Sequence, residues 1–189
     1  MKLRTFLFIL CSFFLFSSAK TPDPVASADA ILSEAYKTAA KENKNVFIIF
    51  HASWCGWCHK MDSAMNSAAC KNLFGDQYVI RHLVVLESKD KVALENPGAM
   101  DLMKKYNGDK GGIPFWLIFD KNGKLLADSQ IRPDGVGLDA VGKNVGCPSE
   151  KEEIVHFMKV LKKSSSLNND QLAVIEKTFT PPAKAAASH

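Results

Sequence analysis

The sequence is sparing with cysteine. It holds five in 189 residues, too few to staple a scaffold of this size together. The fold must rest on an apolar core, which leaves the cysteines free for chemistry. Net charge is also low, at +4, and several of the charges sit in the two ends. A nucleic-acid surface needs a clustered basic patch, so no nucleic-acid partner is expected. There is no internal repeat, which excludes solenoids. Gly135, Gly137, Gly142 and Gly146 do not follow a strand as G-x-G-x-x-G leading into a helix, so they form no phosphate cradle.

Long apolar runs are scarce. One covers Phe6 to Phe16, too short for a comfortable membrane span. Lys2 and Arg4 precede it and Ser17-Ser18-Ala19 follow, the pattern of a secretory signal peptide. We expect cleavage after Ala19, a linker over residues 20–28, and export, most simply to a periplasm; secretion or a retained anchor are the lesser alternatives. Cys11 raises a lipoprotein reading, but Leu10 is bulky where a lipobox takes a small residue. Cys11 is therefore expected to leave with the signal. Cys55, Cys58, Cys70 and Cys147 remain, in a compartment where disulfides persist.

What is present suits one domain with a real core: 47% hydrophobic and 23% charged residues. Helical spacing covers Asp29–Asn43. Val46–Phe50 (VFIIF) is a short apolar run rich in β-branched residues and reads as a buried strand. A helix is expected from about Trp57 to Leu73, a strand over Tyr78–Leu86, and a short helix over Gly98–Tyr106. Phe115–Phe119 is a strand, with Phe115 and Trp116 as core. Asp120-Lys121-Asn122-Gly123 turns it into a partner strand at Lys124–Asp128. Arg132–Pro148 reads as a long ordered loop. Ser149 with Glu152 reads as a capping box opening a helix to about Lys163. A last helix spans Asn168–Phe179, and Thr180 onward is expected to fray. This order predicts an α/β fold: a mixed sheet with helices on both faces.

The chemistry concentrates in HASWCGWCHKM, His51–Met61. Its C-x-x-C-H core has two readings, a redox dithiol or a covalent haem site. In the first, Cys55 lies at a helix N-terminus, where free N–H groups and the helix dipole favour a thiolate. Cys58, one turn on, attacks a mixed disulfide formed at Cys55 and releases the product. Gly56 is expected to permit close approach, and Trp54 and Trp57 to present apolar surface to a substrate. His59 is either a modulator of the thiolate or an ordinary exposed residue. In the haem reading, Cys55 and Cys58 form thioethers, His59 binds iron, and Met61, Met65, Met100 or Met103 supplies a second ligand. The adjoining buried strand and the Ile113-Pro114 strand start disfavour that reading. A zinc site from His51, Cys55, Cys58 and His59 is weaker still, because adjacent Cys58 and His59 diverge on a helix. We expect no metal and no organic cofactor.

VFIIF-HASWCGWCHKM, followed about 55 residues later by GGIPFWLIFDKNGKLL, resembles the thioredoxin superfamily, and most of all its exported bacterial members. The resemblance covers roughly residues 29–161 and implies a thioredoxin-like three-layer sandwich within a domain at 29–179, with 180–189 as tail. It implies Cys55 as attacking thiol, Cys58 as resolving thiol, a cis Pro114 facing the pair, and Ile113 pairing with an extended substrate. The activity implied is thiol–disulfide exchange with cysteines of other exported proteins. Reductase or isomerase is favoured over oxidase, and a membrane or periplasmic redox partner recycles the pair. The alternative is a peptide-binding or holdase module without essential turnover. The chain departs from the family at Ile49, where a buried aspartate that aids proton transfer is usual, and in the central pair Gly56-Trp57. For the remaining cysteines, a Cys70–Cys147 disulfide and two separate thiols both stay open.

Overall fold

A computed structural model of the chain describes residues 24–182. The expected signal segment, its cleavage point, Cys11 and linker residues 20–23 lie outside the described residues, as does the tail from residue 183.

Seven residues, Asn45–His51, apolar except at the two ends, form the central strand β1. Tyr78–Val84 (β2) pairs parallel to it, and Phe115–Phe119 (β3) pairs antiparallel on its other side. Leu125–Asp128 (β4) closes the sheet, in spatial order β2-β1-β3-β4. The continuous apolar runs follow from burial on both faces. Phe47 and Ile49 of β1, with Trp116 and Ile118 of β3, point to one side. Val46, Ile48 and Phe50, with Phe115, Leu117 and Phe119, point to the other.

Helix α1 (Ala28–Glu42) covers the second side with Leu32, Ala35 and Ala39. Ser27 caps it by accepting from the Ala30 N–H at 3.2 Å, and Asn43 ends it in the left-handed region at φ 54°. Helix α4 (Ala99–Lys105) adds Met103 to the same layer. The first side carries α2 (Gly56–Met65), α3 (Lys71–Gly75), α5 (Lys151–Ser164) and α6 (Asn169–Phe179). Phe157 of α5 centres that layer, with ring centroids 5.1 Å from Phe179, 5.6 Å from Trp116 and 6.3 Å from Phe74. Truncating so enclosed an aromatic costs about 3–5 kcal/mol.

Four expectations need correction. The helix expected from Trp57 to Leu73 is two helices. Asn66 ends α2, its amide donating back to the Asp62 carbonyl at 2.9 Å, a local competition typical of Asn. The Ser67 carbonyl then accepts from both Cys70 and Lys71, and the redirected α3 buries Phe74. The capping box lies one residue later, with Glu150 as cap and Glu153 as reciprocal partner. Ser149 sits outside it because the Glu153 carboxylate also accepts from the Ser149 N–H at 3.2 Å. Strand β2 stops at Val84 because Leu86 turns to φ 56°, an unusual conformation for a residue with a branched side chain.

The glycine-rich stretch is more than a loop. Gln130–Ile131 (β5) pairs with Lys143–Asn144 (β6) as a small antiparallel ribbon. Arg132 and Asp128 pin its base, with the guanidinium donating to both carboxylate oxygens at 2.8 and 2.6 Å. Both side chains are almost fully enclosed. Arg132 also donates to the carbonyls of Ala140, Gln130 and Leu138, so the buried charge is matched by hydrogen bonds.

Candidate active site

The site is built where β1 ends. His51 is its last residue, and the Cys55 N–H bonds back to the Ala52 carbonyl at 3.1 Å to close a tight turn. Cys55 is the N-cap of α2, with extended backbone, and its sulfur accepts from the Cys58 N–H at 3.2 Å. A helix N-terminus carries unpaired N–H groups and partial positive charge. A sulfur at this position is thus placed where a thiolate is favoured. Cys55 and Cys58 are joined in a disulfide, with Cα atoms 5.3 Å apart. Both are nearly inaccessible, at 3% and 1% exposure.

The peptide between Ile113 and Pro114 is cis, and the Ile113 carbonyl oxygen lies 3.7 Å from Cys55 Sγ. Ile113 packs with Ala52 and the two cysteines. Trp54 and Trp57 stand out from this enclosed centre, 59% and 52% exposed. A groove of 240 Å³ runs between Trp57, Ile113, Pro114, Asn144 and Cys147. The structure therefore gathers Cys55, Cys58, Trp57, Ile113 and Pro114 in one place, with Trp54 on the adjoining turn.

Gly56 opens α2 directly after Cys55. A Cβ there would meet no atom within 4 Å, so no close packing demands glycine. His59 is exposed on α2, and its Nε2 is 3.0 Å from the Ser53 carbonyl oxygen. That contact ties it to the turn before Cys55. Met61, Met65 and Met103, candidate ligands in the haem reading, are fully packed core residues. Among the described residues, no three or more His, Cys, Asp or Glu side chains gather as a metal site.

Cys70 and Cys147 are not bonded to each other; both are free and buried. Cys70 donates to Thr178 Oγ1 at 3.3 Å. Burial pushes the Cys147 thiol up to about 11, with the nearby Lys60 acting in the opposite direction.

Three supporting residues were not foreseen. Glu87 accepts from the Ser53 N–H at 2.6 Å and from its hydroxyl at 2.8 Å. The Ser53 backbone bond is the main reason its carboxyl sits below the usual range. Leu86 offers its carbonyl to Trp54 Nε1 at 2.7 Å. Asn144 spans the other wall, donating to the carbonyls of Gly111, Gly112 and Pro114 at 3.0–3.1 Å. Its own oxygen accepts from Ser129 at 2.6 Å. No motif marks these residues; each acts through contacts 15 to 34 positions distant, of which the Ser53–Glu87 separation of 34 is the longest.

Residues 28–121 match the family model described as thioredoxin-like. No curated protein matches the chain significantly in sequence. Solved structures with a similar course include a disulphide isomerase from Xylella fastidiosa, at 19% identity and TM-score 0.45, covering 59% of this chain and 80% of that one. An oxidoreductase named DsbH aligns at 20% identity and TM-score 0.41, over 76% of this chain and 90% of its own. The C-terminal domain of DsbD from Neisseria meningitidis, in oxidised form, aligns at 18% and 0.38, over 71% and 97%.

Proposed function

We propose that this chain, thioredoxin-like over residues 28–121, is an exported thiol–disulfide oxidoreductase acting on cysteines of other exported proteins. The observation that carries the reading is the seat of Cys55: an N-cap sulfur, accepting from the Cys58 N–H and bonded to Cys58, beside the Ile113 carbonyl.

In the reducing direction, the Cys55 thiolate attacks one sulfur of a substrate disulfide and releases the other as thiolate. Cys58 then displaces the substrate sulfur from Cys55. The enzyme dithiol loses two electrons and the substrate disulfide gains them. Trp57, Ile113 and Pro114 line the approach, with the Ile113 backbone offered to an extended segment. Export is supported by the charged, apolar and small-residue pattern of residues 1–19. In that setting a membrane or periplasmic partner must restore the pair after each turnover. We favour reductase or isomerase over oxidase, and the periplasm as compartment.

The test is the equilibrium reduction potential of the Cys55–Cys58 pair in protein beginning at Lys20. A value near about −270 mV supports reductase or isomerase work, and one near about −120 mV assigns an oxidase. If no reversible disulfide forms, the oxidoreductase reading fails, and a peptide-holding role for the Trp57 groove replaces it.

A further inference from the structure

Cys58 poses a problem that its immediate neighbours do not solve. It is 1% exposed and packs with Ala52, Cys55 and Ile113. To displace a substrate from Cys55 it must give up a proton, and an apolar setting opposes the thiolate. Ile49, on the strand that leads into the site, offers no base.

A polar cluster nevertheless lies close by. Across the strand pair, Ile49 is in register with His82. His82 Nε2 is 2.8 Å from Asp62 Oδ1, and its ring meets that of His51 edge-on at 5.1 Å. Asp62 follows Cys58 by four residues on α2, so the two share a helix face with Cβ atoms about 5–6 Å apart. Other charged groups lie nearby: His59 on α2 and Glu87 beyond β2 act on His51, and Lys60 on α2 and Glu153 on α5 lie, like Asp62, near Cys147. His59 and Glu87 are engaged by Ser53, and Glu153 by the α5 cap. Lys60 lies over Trp57, its Nζ 4.5 Å from the ring, and is a cation. Asp62 and His82 remain, with the His51 ring packed against His82.

We propose that the Asp62–His82 pair takes the proton of Cys58 as it resolves the mixed disulfide. The inference rests on the redox reading above. The Cys58 S–H bond breaks and its proton passes to the pair. The Cys58–Cys55 S–S bond forms, the Cys55–substrate S–S bond breaks, and its electron pair leaves on the substrate thiolate. The reverse reaction returns the proton to Cys58. Asp62 is the general base of this transfer and His82 positions it; the sulfurs do the bond exchange.

The test uses reduced protein mixed in stopped flow with excess dithionitrobenzoate. One thionitrobenzoate is released when Cys55 attacks, and a second when Cys58 closes the disulfide. The ratio of the second rate to the first is followed from about pH 5 to about pH 9. Near neutrality the Asp62→Asn variant lowers that ratio about tenfold or more and makes the second rate proportional to hydroxide. Asp62→Glu restores most of the ratio, and His82→Gln shifts it in the same direction as Asp62→Asn. A carboxylate that merely repelled the Cys58 thiolate would give the opposite result, a faster second phase on removal. A rise in the ratio, or no change in both Asp62→Asn and His82→Gln while their melting curves stay native, overturns the proposal. Absence of a second release from the unaltered protein overturns the oxidoreductase reading instead.

Discussion

Two pairs of cysteines lie among the described residues, and they have opposite characters. Cys55 and Cys58 sit at the start of α2, three residues apart and bonded. Cys70 and Cys147 are both enclosed in the layer beneath α2 and remain separate thiols. All four are more than nine-tenths buried, so exposure does not distinguish them. Local geometry does. Cys55 has a helix N-terminus behind it and an N–H donated to its sulfur. Cys147 has apolar surroundings that raise its pKa. Reactivity here is a property of the site rather than of the residue type.

The largest effect expected from breaking this comparison is at Cys55. Cys55→Ala should reduce disulfide exchange to the uncatalysed rate in a turnover assay with a disulfide-bonded protein. Cys58→Ala should instead accumulate a covalent complex at Cys55, visible by intact mass. Alkylation should show the next largest difference. At pH 8, a thiol with pKa about 11 is only about one-thousandth ionised. Iodoacetamide added to reduced native protein should label Cys55 while Cys147 and Cys70 stay unmodified by peptide mapping.

Alkali should reveal Cys147 through stability. Its folded pKa lies above the ordinary thiol value of 9, so between 9 and 11 the folded state binds more protons than the unfolded state. That contribution is complete below pH 9 and is lost as pH rises through 11. Tyr36 and Tyr78, raised to about 12 by burial, add a loss of the same sign at higher pH. Cys147→Ala should therefore flatten the first part of the fall in melting temperature above pH 9. Cys70→Ala should have the smallest effect, a destabilisation of about 1 kcal/mol from the lost sulfur and its bond to Thr178, read by urea denaturation, with exchange activity retained.

The same contrast shows how much could be read in advance. The VFIIF and FWLIF runs forecast β1 and β3 because both faces of the sheet are covered, and a doubly buried strand has an unbroken apolar sequence. WCGWC marked the active site because its chemistry depends on a spacing of three within one helix turn. The break at Asn66 was not legible, since residues 57–73 contain no proline and their pattern suits a helix. Only the packing of Cys70 and Phe74 beneath the sheet rewards redirecting the chain there. The Asp128–Arg132 pair was hidden similarly: an i, i+4 spacing suggests an exposed helical pair, whereas here it is enclosed at the base of a ribbon.

By itself the sequence determined what depends on neighbours along the chain: the strands, the capped helices, the cysteine pair at a helix start, and the proline that opens β3. Tertiary structure decided what depends on distance in space. It kept Cys70 and Cys147 apart, set Asn144 across the Pro114 wall, tied Ser53 to Glu87, and placed His82 opposite Ile49 within reach of Asp62. Covalent spacing fixes which groups can meet within one turn of helix, but partners dozens of residues apart meet only once the sheet and its two covering layers have packed.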